Sequence, residues 1–235
     1  MRPYHKIPII ECGEPLVKIP LELFAVETPH PYEKLGANYG EHSPYYLRES
    51  VVKNLIKAQN YLQLLHPGWY IQIFDAYRPV AVQQFMVDYS FAQALQERGL
   101  IAANLSPQEK ENIWKQVYEI WALPSLNINT PPPHSTGSAV DITLVDDGGK
   151  VVNMGSPIDE MSERSHPDYY VNSHEKYHQF RQLLLDIMLK AGFQRNPKEW
   201  WHFSFGDQMW AWLCNQSNPD HPVTARYGRW ESQLV

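Results

Sequence analysis

The chain has 235 residues, of which 43% are hydrophobic and 20% charged, and its formal net charge is −6. That length and balance predict one soluble globular domain. The acidic balance, with no long basic run, excludes nucleic acid and an anionic membrane surface as expected partners, and no run of about 20 apolar residues offers a membrane span.

Two cysteines, Cys12 and Cys214, are too few for a disulfide framework or a cysteine-rich zinc site, so a zinc site here must draw on histidine and carboxylate. The opening stretch, MRPYHKIPIIECGEPLVKIP, carries no apolar leader core and no small-residue cleavage site, so the cytoplasm is the expected location. Residues 1–45 are rich in Pro, Tyr and Gly with weak periodicity and read as an irregular arm, with room for a short strand, packed on a domain formed by 46–235.

The first strong pattern is RESVVKNLIKAQNYLQLLH, where Val52, Leu55, Ile56, Ala58 and Leu62 recur at helical spacing until Pro67-Gly68. WYIQIFDAYRP follows as a strand that stops at a polar turn before Pro79, and VAVQQFMVDYSFAQALQERG as a second helix closed by Gly99. Ser106-Pro107-Gln108-Glu109 is a capping box with proline at the first helical position, which predicts a third helix running to about Pro124. LNINTPPPHSTG reads as a long loop and SAVDITLVDDGGKVVNMG as a hairpin turning at Asp147-Gly148-Gly149. After a second long loop, SPIDEMSERSHPDYY, the last predicted helix runs from about Ser173 to Gly192, and FQRNPKEWWHFSFG closes the chain's pattern as a strand pair. Strands and helices in this order predict a single α+β domain.

That last helix begins with His174-Glu175-Lys176-Tyr177-His178, a formal H-E-x-x-H zinc motif. Tyr177, Phe180, Leu184, Ile187, Met188 and Ala191 share the face that must be buried, however, which puts both histidines on its flank and Glu175 in solvent. A metalloprotease needs all three facing one cleft, so HEKYH is expected to be a chance match.

Two other stretches carry a better inventory. His134-Ser135-Thr136-Gly137-Ser138-Ala139-Val140-Asp141 and Glu199-Trp200-Trp201-His202 together hold two histidines, an aspartate and a further glutamate, the set a catalytic zinc with an open position and a general base requires. Each also has an ordinary reading, a satisfied core histidine or an aspartate capping a turn. In a regular strand, positions 134 and 141 point to opposite faces, as do 199 and 202. A shared site therefore demands a bend near Gly137 and another near the two tryptophans.

DAYRP, HSTGSAVD, MGSPIDEMSERSH and EWWHF, in that order across about residues 45–206, resemble the D-alanyl-D-alanine dipeptidases of the vancomycin-resistance type, within the zinc D,D-peptidases. The resemblance implies a Hedgehog-like α+β fold with a central, mainly antiparallel sheet and helices packed on it. It implies one zinc ion per chain on His134, Asp141 and His202, with Glu199 as the base and Arg78 stabilising the developing oxyanion. Asp159 is implied to take the free ammonium of a small dipeptide such as D-Ala-D-Ala. A D,D-carboxypeptidase acting on longer muropeptides and a non-catalytic zinc-stabilised binding module are the alternatives, and nothing in the pattern specifies an oligomer.

Departures from the family pattern bear on specificity. Pro132 stands where relatives carry a serine that helps hold the substrate carboxylate, and proline offers neither hydroxyl nor N–H. Ser135, Ser138 and Thr136 are the expected replacements. Phe24, in LELFAV, stands where relatives are expected to carry a tyrosine hydroxyl, and the segment 94–133 is longer than in compact members.

Overall fold

In the computed structural model, which describes residues 2–230, the N-terminal arm packs on the domain and adds short strands to its sheets. After a 3-10 turn at Pro3–Lys6 it supplies β1 (Leu16–Lys18), β2 (Ala25–Val26) and a short helix, α1 (Pro31–Lys34), before β3 (Tyr46–Arg48). β1 pairs antiparallel with β3 in a two-stranded sheet. The rest of the chain runs α2 (Glu49–Leu65), β4 (Tyr70–Asp75), α3 (Val80–Glu97), α4 (Pro107–Ile120), β5 (Ala139–Val145), α5 (Glu175–Lys190), β6 (Gln194–Arg195), β7 (His202–Ser204) and α6 (Gln208–Ser217). β2 joins the main sheet as an edge strand parallel to β4, and Ile19 and Phe24 enter the same core as α2 and α5.

The main sheet has the order β2-β4-β5-β7-β6 and is antiparallel apart from β2, the α+β arrangement expected. β5 is its centre and is buried along its whole length. Side chains alternate across a strand, so Val140, Ile142 and Leu144 face one way, into a core shared with Leu55, Leu184 and Met188. Asp141 and Thr143 face the other way. Ile142 and Leu144 are fully excluded from water, and burying each stabilises the fold by about 1.5–3 kcal/mol.

The helices follow their sequence signals. The capping box of α4 is complete: the Ser106 hydroxyl accepts from the Glu109 amide at 3.3 Å, and the Glu109 carboxylate accepts from the Ser106 amide at 2.8 Å. α5 starts one residue inside the HEKYH motif, with His174 as its N-cap. Two expectations change. The second arm of the 139–154 hairpin is reduced to a single bridge, Val145 to Val151, because Asp146 folds back to bind the amides of Gly148 and Lys150. And α6 follows the closing strand: MWAWLC is apolar without interruption, so it shows no helical stripe, but Asp207 caps it by accepting from the Trp210 amide at 2.7 Å.

Candidate metal centre and active site

Strand register builds the centre. Asp141 of β5 lies directly opposite Asp75 of β4 on one side and His202 of β7 on the other, forming one row across three strands. Ile73 pairs with Ile142 on the core face, so a regular ladder would set Phe74 against Asp141. A bulge between Ile73 and Asp75 brings Asp75 there instead. His134 joins the row from a 3-10 turn, Pro133–Thr136, which ends at Gly137 in the left-handed region at φ 73°. A Cβ at Gly137 would overlap only the movable tip of Leu16, so it is the left-handed conformation that favours glycine at this bend. The second expected bend is present as well: the chain turns at Asn196–Glu199, where the Glu199 amide donates to the Asn196 carbonyl, and crosses the two tryptophans before β7 begins at His202.

Among the described residues, His134, Asp141 and His202 form a group whose ligand atoms all lie within 4.8 Å of one another, and all three are buried. His134 Nε2 is 3.1 Å from Asp141 Oδ2 and 3.2 Å from His202 Nδ1, and His202 Nδ1 is 3.0 Å from Asp141 Oδ1. The tautomer of His134 follows from its other nitrogen. Nδ1 is 2.7 Å from the Ala76 carbonyl, which can only accept, so Nδ1 carries the proton and the bare Nε2 lone pair faces a carboxylate. Buried acceptors converging in this way call for a cation between them. Two imidazoles and one carboxylate are the donor set of a catalytic zinc site, and the backbone bond to His134 is the outer support such ligands usually carry. His174 and Glu175 are exposed, and Glu175 accepts from Gln179 on its own helix, so the HEKYH residues form no such group.

Around the row lies a set of committed polar contacts. Arg78, 3% exposed, donates from Nε to Asp75 at 2.9 Å, from Nη1 to Gln83 at 2.9 Å and from Nη2 to the Tyr32 hydroxyl at 3.1 Å and Asp141 at 3.2 Å. Tyr32 passes the chain on, donating to Asp159 at 2.7 Å. Asp75 also accepts from the Tyr39 hydroxyl at 2.9 Å. Burial alone would raise the Asp75 pKa, but Arg78, His30 and His134 outweigh it and hold Asp75 below the usual carboxylate range. Asp159 sits in the left-handed region at φ 63°, a conformation Asp tolerates better than most residues. Burial, with Asp141 and Glu199 adding like charge, pushes Asp159 up to about 7. Glu199 is buried too, with a carboxylate oxygen 3.8 Å from His202 Nδ1, and burial raises it to about 7. A bound dication would draw both carboxyls back toward their charged forms.

Arg78, His134, Asp141, Asp159, Glu199 and His202 thus line one cavity. The two serines do not. Ser135 is fully buried and donates to the Arg78 carbonyl at 2.8 Å, and Ser138 is fully buried against the Thr136 hydroxyl at 2.6 Å, so both hydroxyls are bonded within the fold. Phe24 is a core residue, and the tyrosine hydroxyl that bonds Asp159 is that of Tyr32. Sequence reasoning missed Tyr32 because its position, in a Pro-rich arm without periodicity, carries no signal. It also missed Arg181, fully buried on α5. Arg181 donates to the carbonyls of Met154, Arg164 and His166 and to the Ser156 hydroxyl, and so ties down the loop that carries Asp159.

A model of the Peptidase M15 D-Ala-D-Ala dipeptidase family matches residues 26–224, so the chain belongs to that family of zinc metallopeptidases. It is 53% identical to a D-alanyl-D-alanine dipeptidase of Synechocystis over 98% of both chains. It is 34% identical to one of Escherichia coli over 67% of this chain and 65% of that one. A solved structure of the zinc-bound vancomycin-resistance D,D-pentapeptidase VanY aligns over 83% of this chain and 89% of that one, with a TM-score of 0.46 and 14% identity.

Proposed function

We propose that this protein is a zinc-dependent dipeptidase that hydrolyses D-Ala-D-Ala, or a close relative with a free N-terminus. The observation that carries the reading is the convergence of His134, Asp141 and His202 in a buried row whose walls hold Glu199, Arg78 and Asp159. His134 Nε2, a carboxylate oxygen of Asp141 and a ring nitrogen of His202 would hold one zinc ion per chain. When bound, that ion supplies Lewis acidity, polarising the scissile carbonyl and making a water molecule acidic enough to lose a proton near neutral pH.

The remaining work falls to the chain's own groups. Glu199 takes a proton from the attacking water as oxygen adds to the carbonyl carbon, then delivers it to the departing amine as the C–N bond breaks. Glu199 is buried beside the ligand row, a carboxylate oxygen 3.8 Å from His202 Nδ1, which suits a group that must both accept and return a proton there. Arg78 faces negative charge developing on the carbonyl oxygen. Its bonds to Asp75, Gln83, Tyr32 and Asp141 hold the guanidinium rigid and use four of its five N–H groups. Asp159, oriented by Tyr32, receives the substrate ammonium, and that ion pair explains a requirement for a free N-terminus.

The test is release of D-alanine by the zinc-loaded protein from D-Ala-D-Ala, with L-Ala-L-Ala and N-acetyl-D-Ala-D-Ala alongside. Release from the free D,D-dipeptide alone is the expected result. Equal turnover of the N-acetylated dipeptide would remove the role of Asp159, and no release from any of them would remove the activity.

A further inference from the structure

A dipeptide has two charged ends, and the groups described so far account for its ammonium. Pro132 supplies no donor for the carboxylate, and Ser135, Thr136 and Ser138 are buried and bonded within the fold. Arg78 is largely spent on Asp75, Asp141, Tyr32 and Gln83. The same cavity wall, however, includes two residues from the far N-terminal turn, Arg2 and Tyr4.

Both are unusual. Arg2 donates through Nη2 to the carbonyls of Tyr118 at 2.6 Å and Trp121 at 3.0 Å, at the C-terminal end of α4. Those carbonyls orient the guanidinium, and a helix C-terminus favours a cation, but they do not neutralise its charge. No acidic side chain among the described residues lies within 4.0 Å of Arg2, and its guanidinium lies against the Tyr4 hydroxyl. Tyr4 is 5% exposed, and its hydroxyl has no hydrogen-bond partner among the described residues. A buried hydroxyl without a hydrogen-bond acceptor is left to be satisfied by whatever enters the cavity beside it. Arg2 lies near enough to act on the Tyr4 hydroxyl electrostatically, and both line the cavity that Glu199 lines. The turn that carries them is anchored. Gln208 of α6 donates to the Ile7 carbonyl at 2.8 Å, and Ile10 and Cys12 donate to the carbonyls of Ala225 and Arg226 at 2.8 and 3.0 Å.

We propose that Arg2 and Tyr4 form the subsite for the substrate's terminal carboxylate, a specificity device built from the N-terminal turn. Resting on the dipeptidase reading, this assigns the two substrate charges to opposite walls: ammonium to Asp159 and Tyr32, carboxylate to the Arg2 guanidinium and the Tyr4 hydroxyl. A charge-assisted pair of donors fits a carboxylate and leaves a neutral C-terminal amide much less well bound. The long segment before His134 belongs to the same device, because α4 ends where it can hold Arg2.

The test compares D-Ala-D-Ala with its C-terminal amide by calorimetry. It uses zinc-loaded Glu199→Gln protein tagged at the C-terminus, alone and combined with Arg2→Ala, Arg2→Lys or Tyr4→Phe. The parent is expected to bind the acid at least about tenfold more tightly than the amide, a charged hydrogen bond's worth of preference. Arg2→Ala and Tyr4→Phe should each remove most of that preference while amide affinity stays unchanged, and Arg2→Lys should keep part of it. Thermal melting reports whether each variant is folded, and Tyr4→Phe preserves the buried ring. Persistence of the preference in both variants overturns the subsite. So does equal weakening of acid and amide, or an absence of preference in the parent. If wild-type protein releases no D-alanine, the proposed activity fails, while the acid-over-amide comparison still decides the subsite on binding alone.

Discussion

Two regions of this molecule combine two histidines with a carboxylate, one contiguous in sequence and one dispersed, and they differ in what surrounds them. At the start of α5, His174 and Glu175 lie in solvent, with the His174 ring 5.4 Å from Tyr170 and 5.3 Å from Tyr177 in an aromatic cluster. In the sheet, His134, Asp141 and His202 come from a turn and two strands, are separated by up to 68 residues, and meet with side-chain nitrogen and oxygen atoms within 3.2 Å of one another. The contiguous motif has the letters of a metal site without its desolvation or convergence. The dispersed one has both, so strand register is the better guide than local spacing.

The comparison breaks most sharply at Glu199. Glu199→Gln keeps the shape and removes the base, so turnover of D-Ala-D-Ala should fall about 10²–10⁴-fold, the span for a lost general base. Metal content, read by atomic absorption, should stay near one zinc per chain. Full turnover in this variant would mean that the proton is handled elsewhere.

Arg78→Ala comes next. It removes the cavity's most buried cation, and kcat should fall about 10²–10³-fold, as for other lost oxyanion donors. KM should move much less, because the interaction strengthens only in the transition state. An effect confined to KM would reassign Arg78 to ground-state binding.

Arg181→Met tests the support of the Asp159 loop. It deletes a fully buried guanidinium and strands the carbonyls of Met154, Arg164 and His166, so stability should drop by about 3 kcal/mol, the order expected when several buried acceptors lose their donor. Urea unfolding gives the number, and a loss under about 1 kcal/mol would show that the loop holds itself.

Legibility in the sequence follows the same division. Helices α2, α3, α4 and α5 were readable because each has a periodic face and a stop or cap signal. Strands β4 and β5 were readable from alternation, and the need for a bend at Gly137 followed from the parity of positions 134 and 141. The residues that meet at the cavity were readable only as an inventory. Their row depends on the bulge at Phe74 and on cross-strand pairing, neither of which leaves a local trace. Tyr32, Arg2 and Tyr4 were invisible because an arm rich in Pro and Gly has no period to read. Arg181 was hidden for the opposite reason: it lies within a clear helix and looks like one more surface charge, although it is fully buried.

The smallest expected effect is the one that most directly separates the two regions. Replacing both His174 and His178 by Ala removes every histidine of the contiguous motif. His174 is exposed and serves as an N-cap without a side-chain capping bond, and the His178 side chain makes no recorded hydrogen bond. Neither contributes to the buried row, so zinc content should remain near one per chain and D-Ala-D-Ala turnover should be unchanged. Stability should shift by no more than about 1 kcal/mol, since only aromatic edge contacts and partial burial are lost. The matching variant in the other region, His134→Ala, should lose the metal outright, because two remaining ligands cannot hold zinc against water. Loss of zinc from the α5 variant, with retention in His134→Ala, would transfer the metal to the helix and undo the assignment of the sheet as the reactive centre.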